Sequence, residues 1–118
     1  MVFKQSPADP LPSPRPDDAG LRELMIRYQH ADPAAVEQLI RCLSPALFCF
    51  LGIPEATRAV CEDLLQECWL RVHRARHTYR PTEPVLPWIF AIARHTRVDG
   101  YRRKRRHSRE IAMDEVPD

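Results

Sequence analysis

Eight lysines and arginines stand between Arg94 and Arg109, against a single acid, Asp99. Guanidinium groups bind phosphate oxygens through charge-assisted, often paired hydrogen bonds, so such a run is an anion-binding surface. On a helix, Arg94, Arg97, Tyr101 and Arg105 fall in one narrow stripe, and His95, Arg102 and Arg106 form a second stripe beside it. A merely solvated charge run would interleave acids among the bases, and this one does not. The clustering points to a nucleic acid. Just upstream, the loop from Tyr79 to Val85, with Arg80 in it, joins Trp88 and Phe90 to put aromatic groups beside the basic ladder. Unpaired bases are held by stacking on such rings while arginines position the backbone. Trp88, on the inward side of the helix start, is expected to serve the core instead.

A second charged group has the opposite sign. Glu62, Asp63, Gln66 and Glu67 gather on one flank of a helix, with Arg71 placed to pair with Glu67 at i, i+4. Acid–base catalysis would need a cleft and a nucleophile or metal beside them, and the sequence supplies neither. No enzyme activity and no cofactor are expected. A docking face for a protein fits the group better. His73 and His77 have a spacing that can hold zinc, but two ligands make no site, and they read as solvated residues near a helix end. Cys42, Cys49, Cys61 and Cys68 form pairs seven apart, about 10 Å along a helix, too far to chelate one ion. They are expected as four small buried apolar side chains. No metal site is expected.

These groups must be positioned by helices, because the apolar residues recur at helical spacing and no strand alternation is present. Leu21, Leu24, Met25 and Tyr28 make the stripe of a first helix. Asp32 and Pro33 open a second, as N-cap and first helical residue, with Val36, Leu39, Ile40, Leu43, Leu47, Phe50 and Leu51 inward. Pro45 interrupts that run, and a kinked helix is preferred to a broken one. Gly52-Ile53-Pro54 ends it. A third helix is expected from about Glu55 or Thr57 to about His77, turning Val60, Leu64, Leu65, Cys68, Val72 and Ala75 inward. The proline-stiffened stretch from Thr78 to Leu86 is a loop, and a fourth helix runs from about Pro87 to Arg106. The predicted fold is all-α, a small four-helix bundle.

Five of the twelve prolines lie in the first sixteen residues. Residues 1–19 therefore read as a disordered Pro-rich leader, with no apolar segment of the kind a signal peptide needs. Residues 20–107 form the helical domain, and 108–118, acidic again, read as the start of a linker. No stretch is read as a membrane span, and the chain is expected to be cytoplasmic, away from any membrane.

The residues Asp63-Leu64-Leu65-Gln66-Glu67, Trp69, Arg74 to Tyr79, Pro87-Trp88-Ile89-Phe90, Ile92-Ala93-Arg94, Val98-Asp99 and Arg102 to Arg106 occur in an order and spacing that resembles the second conserved region of bacterial extracytoplasmic-function sigma factors. The resemblance covers roughly residues 20–107. It implies that the acidic flank binds the clamp helices of the largest subunit of core RNA polymerase. It implies too that the loop and basic helix recognise and melt the minus-ten element of promoter DNA by capturing a base flipped from the non-template strand. An anti-sigma factor is a further implied partner. Two positions depart from the family pattern: the loop lacks a glycine, and His95 stands where asparagine is common. Relatives continue through an acidic linker into a second helical domain, which nothing in these residues resembles. Two other readings of the residues remain, a general basic nucleic-acid-binding module and a regulatory module whose cysteines and histidines sense redox state or metal.

Overall fold

In the computed structural model, which describes residues 16–52 and 56–115, four helices follow one another. These are α1 (Asp18–Gln29), α2 (Pro33–Leu51), α3 (Arg58–Ala75) and α4 (Val85–Glu115), with a one-turn 3-10 helix, Arg76–Thr78, between α3 and the loop before α4. α2 packs against each of the other three helices, α4 packs on α3 and α1, and α1 also reaches the 3-10 turn.

α1 starts earlier than the composition suggested. Asp17 caps it, its carboxylate accepting from the Gly20 amide at 2.9 Å, so residues 17–19 belong to the bundle. An acid at this position satisfies an orphan amide and favours the helix dipole. The rest of the expected leader, residues 1–15, lies outside the described residues. All four residues of the predicted α1 stripe, Leu21, Leu24, Met25 and Tyr28, are buried.

The corner between α1 and α2 is closed by the chain itself. Ala31 donates to the Tyr28 carbonyl at 2.9 Å and Asp32 to the Arg27 carbonyl at 3.0 Å, the paired bonds of a Schellman turn. That turn needs a left-handed residue, and Ala31 takes the place with φ 65°. Asp32 then caps α2 by accepting from the Ala34 amide, as its position before Pro33 predicts. The Arg27 side chain hydrogen-bonds the same carboxylate at 2.9 Å and holds the Asp32 carboxyl below its ordinary range.

The inward row of α2 is Ala35, Leu39, Leu43, Leu47 and Leu51, spaced by four without exception. Such a row is a ridge that seats between neighbouring helices. It displaces part of the predicted stripe: Ile40 is 39% exposed, and Val36 and Phe50 are only partly covered. The helix runs on through Pro45, whose ring faces outward, and ends at Gly52. Contrary to the sequence reading, α2 is long and apolar enough by length and composition to cross a membrane; its leucine row is occupied instead by the cores of α1, α3 and α4.

α3 opens at Arg58, with the Thr57 hydroxyl accepting from the Val60 amide. Cys61, not Val60, takes the first inward position, and Val60 is 42% exposed. The helix stops at Ala75, two residues short of the predicted end. α4 begins at Val85, ahead of Pro87, because a proline in the first turn lacks only an amide that no helical carbonyl could reach. It continues to Glu115, so residues 108–115, expected as the start of a linker, extend a 31-residue rod about 46 Å long.

The cysteines divide. Cys61 and Cys68 are buried, Cys42 is half-buried and Cys49, off the leucine row, is exposed; all four are free. Burial pushes the Cys68 thiol up to about 11.

Two outcomes follow. Ala31→Gly, which relieves the left-handed strain, should stabilise the fold by roughly 0.5–1 kcal/mol, read from thermal or urea melts. With a thiol reagent at pH 8 the native protein should label Cys49 first and Cys68 last, mapped by mass spectrometry; rapid labelling of Cys68 would contradict the packing.

Candidate functional site

α4 has an inner half and an outer half. Val85, Ile89, Ala93, Thr96 and Gly100 form one buried line, with the Thr96 hydroxyl donating to the Ile92 carbonyl at 2.9 Å inside the helix. Arg94, Tyr101 and Arg105 lie on the side away from that line and Arg97 on its flank toward α2; all four are exposed, as are His95, Arg102 and Arg106. Two of these cations rest on rings. Arg97 lies 5.7 Å from the centre of the Phe50 ring on α2, and Arg105 lies 5.8 Å from that of Tyr101. Such contacts orient a guanidinium without cancelling its charge.

The single acid in this segment is taken from the other side. Arg71 on α3 contacts Asp99 Oδ2 through Nη1 at 2.9 Å and Glu67 Oε2 through Nε at 2.9 Å. Partial burial would lower the pKa of Arg71, but the two carboxylates outweigh it and raise it. Among the described residues, none of Arg94, Arg97, Arg102, Arg105 or Arg106 has an ion pair. The result is an arginine face of one sign.

The loop before α4 differs from the sequence expectation at its first residue. Tyr79 is 2% exposed, with its hydroxyl donating to the Glu83 carbonyl at 2.7 Å and its ring edge-on to Trp88 at 5.4 Å. Burial raises the pKa of its phenol. The chain turns inward after the 3-10 helix, so Tyr79 serves as a core plug and offers no ring face for stacking. Arg80, Pro81, Thr82, Glu83 and Pro84 are all exposed. Trp88 is half-buried, in keeping with a core role, and Phe90 meets Phe50 edge-on at 5.2 Å.

On α3, Glu62, Asp63 and Gln66 are exposed, with Glu62 contacting Arg58 at 3.2 Å, while Glu67 is half-buried through its bond to Arg71. Asp63 and Glu67 line an open groove of about 530 Å³ whose far wall carries Arg103, Lys104 and His107 of α4. The acidic and basic surfaces therefore adjoin across one groove. His73 and His77 do not form a pair, since His77 sits on the 3-10 turn and His73 Nδ1 is 2.8 Å from the Tyr28 hydroxyl. Among the described residues no group of three or more His, Cys, Asp or Glu is arranged to hold a metal.

Residues 55–107, which span α3, the loop and most of α4, match the model of sigma-70 region 2. The chain is 33% identical over 81 residues to the RNA polymerase sigma factor CarQ of Myxococcus xanthus, covering 69% of this chain and 47% of that protein. It is 32% identical over 77 residues to the ECF RNA polymerase sigma factor RpoE of Cereibacter sphaeroides, covering 64% and 42%, and 31% identical over 86 residues to the ECF RNA polymerase sigma factor SigF of Caulobacter vibrioides, covering 72% and 48%. These residues form an ECF-type sigma region 2 domain. The chain spans about half the length of the curated relatives it matches. No solved structure gives a significant match.

In this region 2 domain the Glu67–Arg71 pair is legible from its i, i+4 spacing, but its third member is not. Asp99 is 28 residues from Arg71, and no local spacing announces a contact between two helices. Phe50 was placed in the core by periodicity, whereas its ring also seats Arg97. Removing the central cation should expose the bridge: Arg71→Met is expected to cost no more than about 1 kcal/mol, and a double-mutant cycle with Asp99→Asn to return a small favourable coupling, both read from urea melts.

Proposed function

We propose that the domain recognises and melts the minus-ten element of promoter DNA and binds core RNA polymerase, as part of an alternative sigma factor of the extracytoplasmic-function group. The observation that carries the reading is the arginine face of α4, in which the one acid between Arg94 and Arg109 is paired with Arg71 and which follows the exposed loop 80–84 in the chain. Backbone phosphates of the non-template strand would lie along Arg94, Arg97, Arg102, Arg105 and Arg106, with His95 and Tyr101 between them. Arg80, Thr82 and Glu83 would meet the edges of a base taken out of the stack, a task that passes from Tyr79 to its exposed neighbours. No bond is made or broken. Opening is an exchange of base stacking for protein contacts, driven by phosphate neutralisation and counterion release.

The exposed Glu62, Asp63 and Gln66 would meet the clamp helices of the polymerase, with Glu67 contributing through the orientation it shares with Arg71. An anti-sigma factor that covers this flank would silence the domain. The cytoplasm is the compartment this work requires. A general nucleic-acid-binding module would need the arginine face but would give the acidic flank no partner.

Arg102→Ala is the cleaner test of the basic face, because Arg97 also packs on Phe50. It should weaken binding to single-stranded promoter DNA and reduce the slope of log affinity against log salt by about one. Asp63→Ala combined with Gln66→Ala should remove co-purification with core polymerase while leaving the helical circular dichroism unchanged; retention on the polymerase would overturn the docking assignment.

A further inference from the structure

Both ends of the exposed loop are tied to α1, a helix that carries none of the residues assigned to DNA or polymerase. At the entry, Gln29 reaches from the last turn of α1 and spends both hydrogens of its side-chain amide on the loop. Its Nε2 donates to the Arg76 carbonyl at 2.7 Å and to the Tyr79 carbonyl at 2.9 Å. At the exit, Asp18 Oδ1 accepts from the Val85 amide at 3.1 Å, one of the first-turn amides that α4 cannot satisfy itself. The Arg22 guanidinium lies 2.7 Å from the other oxygen of Asp18 and steadies it. Inside these ties the loop is braced by the Tyr79 hydroxyl on the Glu83 carbonyl and by the Glu83 amide on the Arg80 carbonyl at 2.9 Å.

The loop has few means of holding itself. Pro81 and Pro84 lack amide hydrogens, and all five residues from Arg80 to Pro84 are exposed, so burial fixes none of them. Its shape is imposed by Tyr79 below and by α1 at its two ends. A recognition loop held before its ligand arrives loses less freedom on binding, and base discrimination needs donors and acceptors in fixed places.

We propose that Gln29 and Asp18 are positioning residues for base recognition. They hold loop 80–84 in the form that accepts one unpaired base, so that base selectivity depends on them while phosphate affinity does not. The inference rests on the proposed promoter-melting function and extends it to a helix outside both contact surfaces. Gln29→Glu is the informative lesion, because it keeps the size of the side chain but turns a carboxylate that cannot donate toward two carbonyl oxygens. Asp18→Ala deletes the acceptor at the other end, and Asp18→Asn restores an acceptor oxygen without the charge.

The test uses the full chain bound to core RNA polymerase and selection from a randomised single-stranded DNA pool. The wild-type complex should enrich one base strongly at one position. Gln29→Glu and Asp18→Ala should flatten that preference by about tenfold, with the salt slope and polymerase association unchanged, and Asp18→Asn should retain it. Wild-type selectivity in both Gln29→Glu and Asp18→Ala overturns the inference and leaves the proposed function standing. Loss of selectivity together with the salt slope also overturns it, since that would report general damage to the domain. A wild-type complex that enriches no base at all removes the promoter-melting reading and the inference with it.

Discussion

A single guanidinium on α3 decides what kind of surface α4 can present. Arg71 holds Glu67 on its own helix and Asp99 on the next, at 2.9 Å each. The bridge joins the two helices, and it engages the one acid that stands between Arg94 and Arg109 on α4. Without it, Asp99 would be free to sit among the arginines and fold part of the field back on itself. A half-exposed ion pair contributes little to stability on its own, so its main effect is on the distribution of charge. The acidic flank of α3 and the basic side of α4 face one another across a shared groove, lined by Asp63 and Glu67 on one wall and by Arg103, Lys104 and His107 on the other.

The packing beneath serves this arrangement. α2 lies against all three other helices through a row spaced by four residues, and that regularity gives a rigid platform under α4. The same row makes α2 apolar enough to resemble a membrane span when read alone. Phe50 at the far end of α2 meets Phe90 in a T-shaped contact and seats Arg97, linking the hydrophobic core to the charged surface in one side chain. α1 acts differently. Its inner face joins the core, while its two ends, Asp18 and Gln29, reach out to the backbone on either side of the exposed loop.

Much of this was legible in the residues. The buried stripe of α1, the Asp32 cap, the Glu67–Arg71 pair and the exposure of the basic residues of α4 follow from spacing within one helix, where geometry is fixed at every turn. Helix ends were less legible. α1 gained residues through the Asp17 cap, α3 stopped early in a 3-10 turn, and α4 ran nine residues past its expected end, because ends depend on whether a few orphan amides and carbonyls find partners. Ile40 and Val60 were assigned inward and are exposed, since a stripe about two residues wide leaves its margins to be settled by the neighbouring helix.

The sequence alone determined that the chain forms helices, which of their residues are charged, and that the two signs are segregated along it, because these are properties of composition and local period. Tertiary structure alone decided that Tyr79 is a core plug and not a stacking ring, that Asp99 is bound by Arg71, and that α1 holds the loop. Each of those depends on residues far apart in the chain meeting across a packed interface. No local pattern encodes such a meeting, since its energy exists only once the helices have docked.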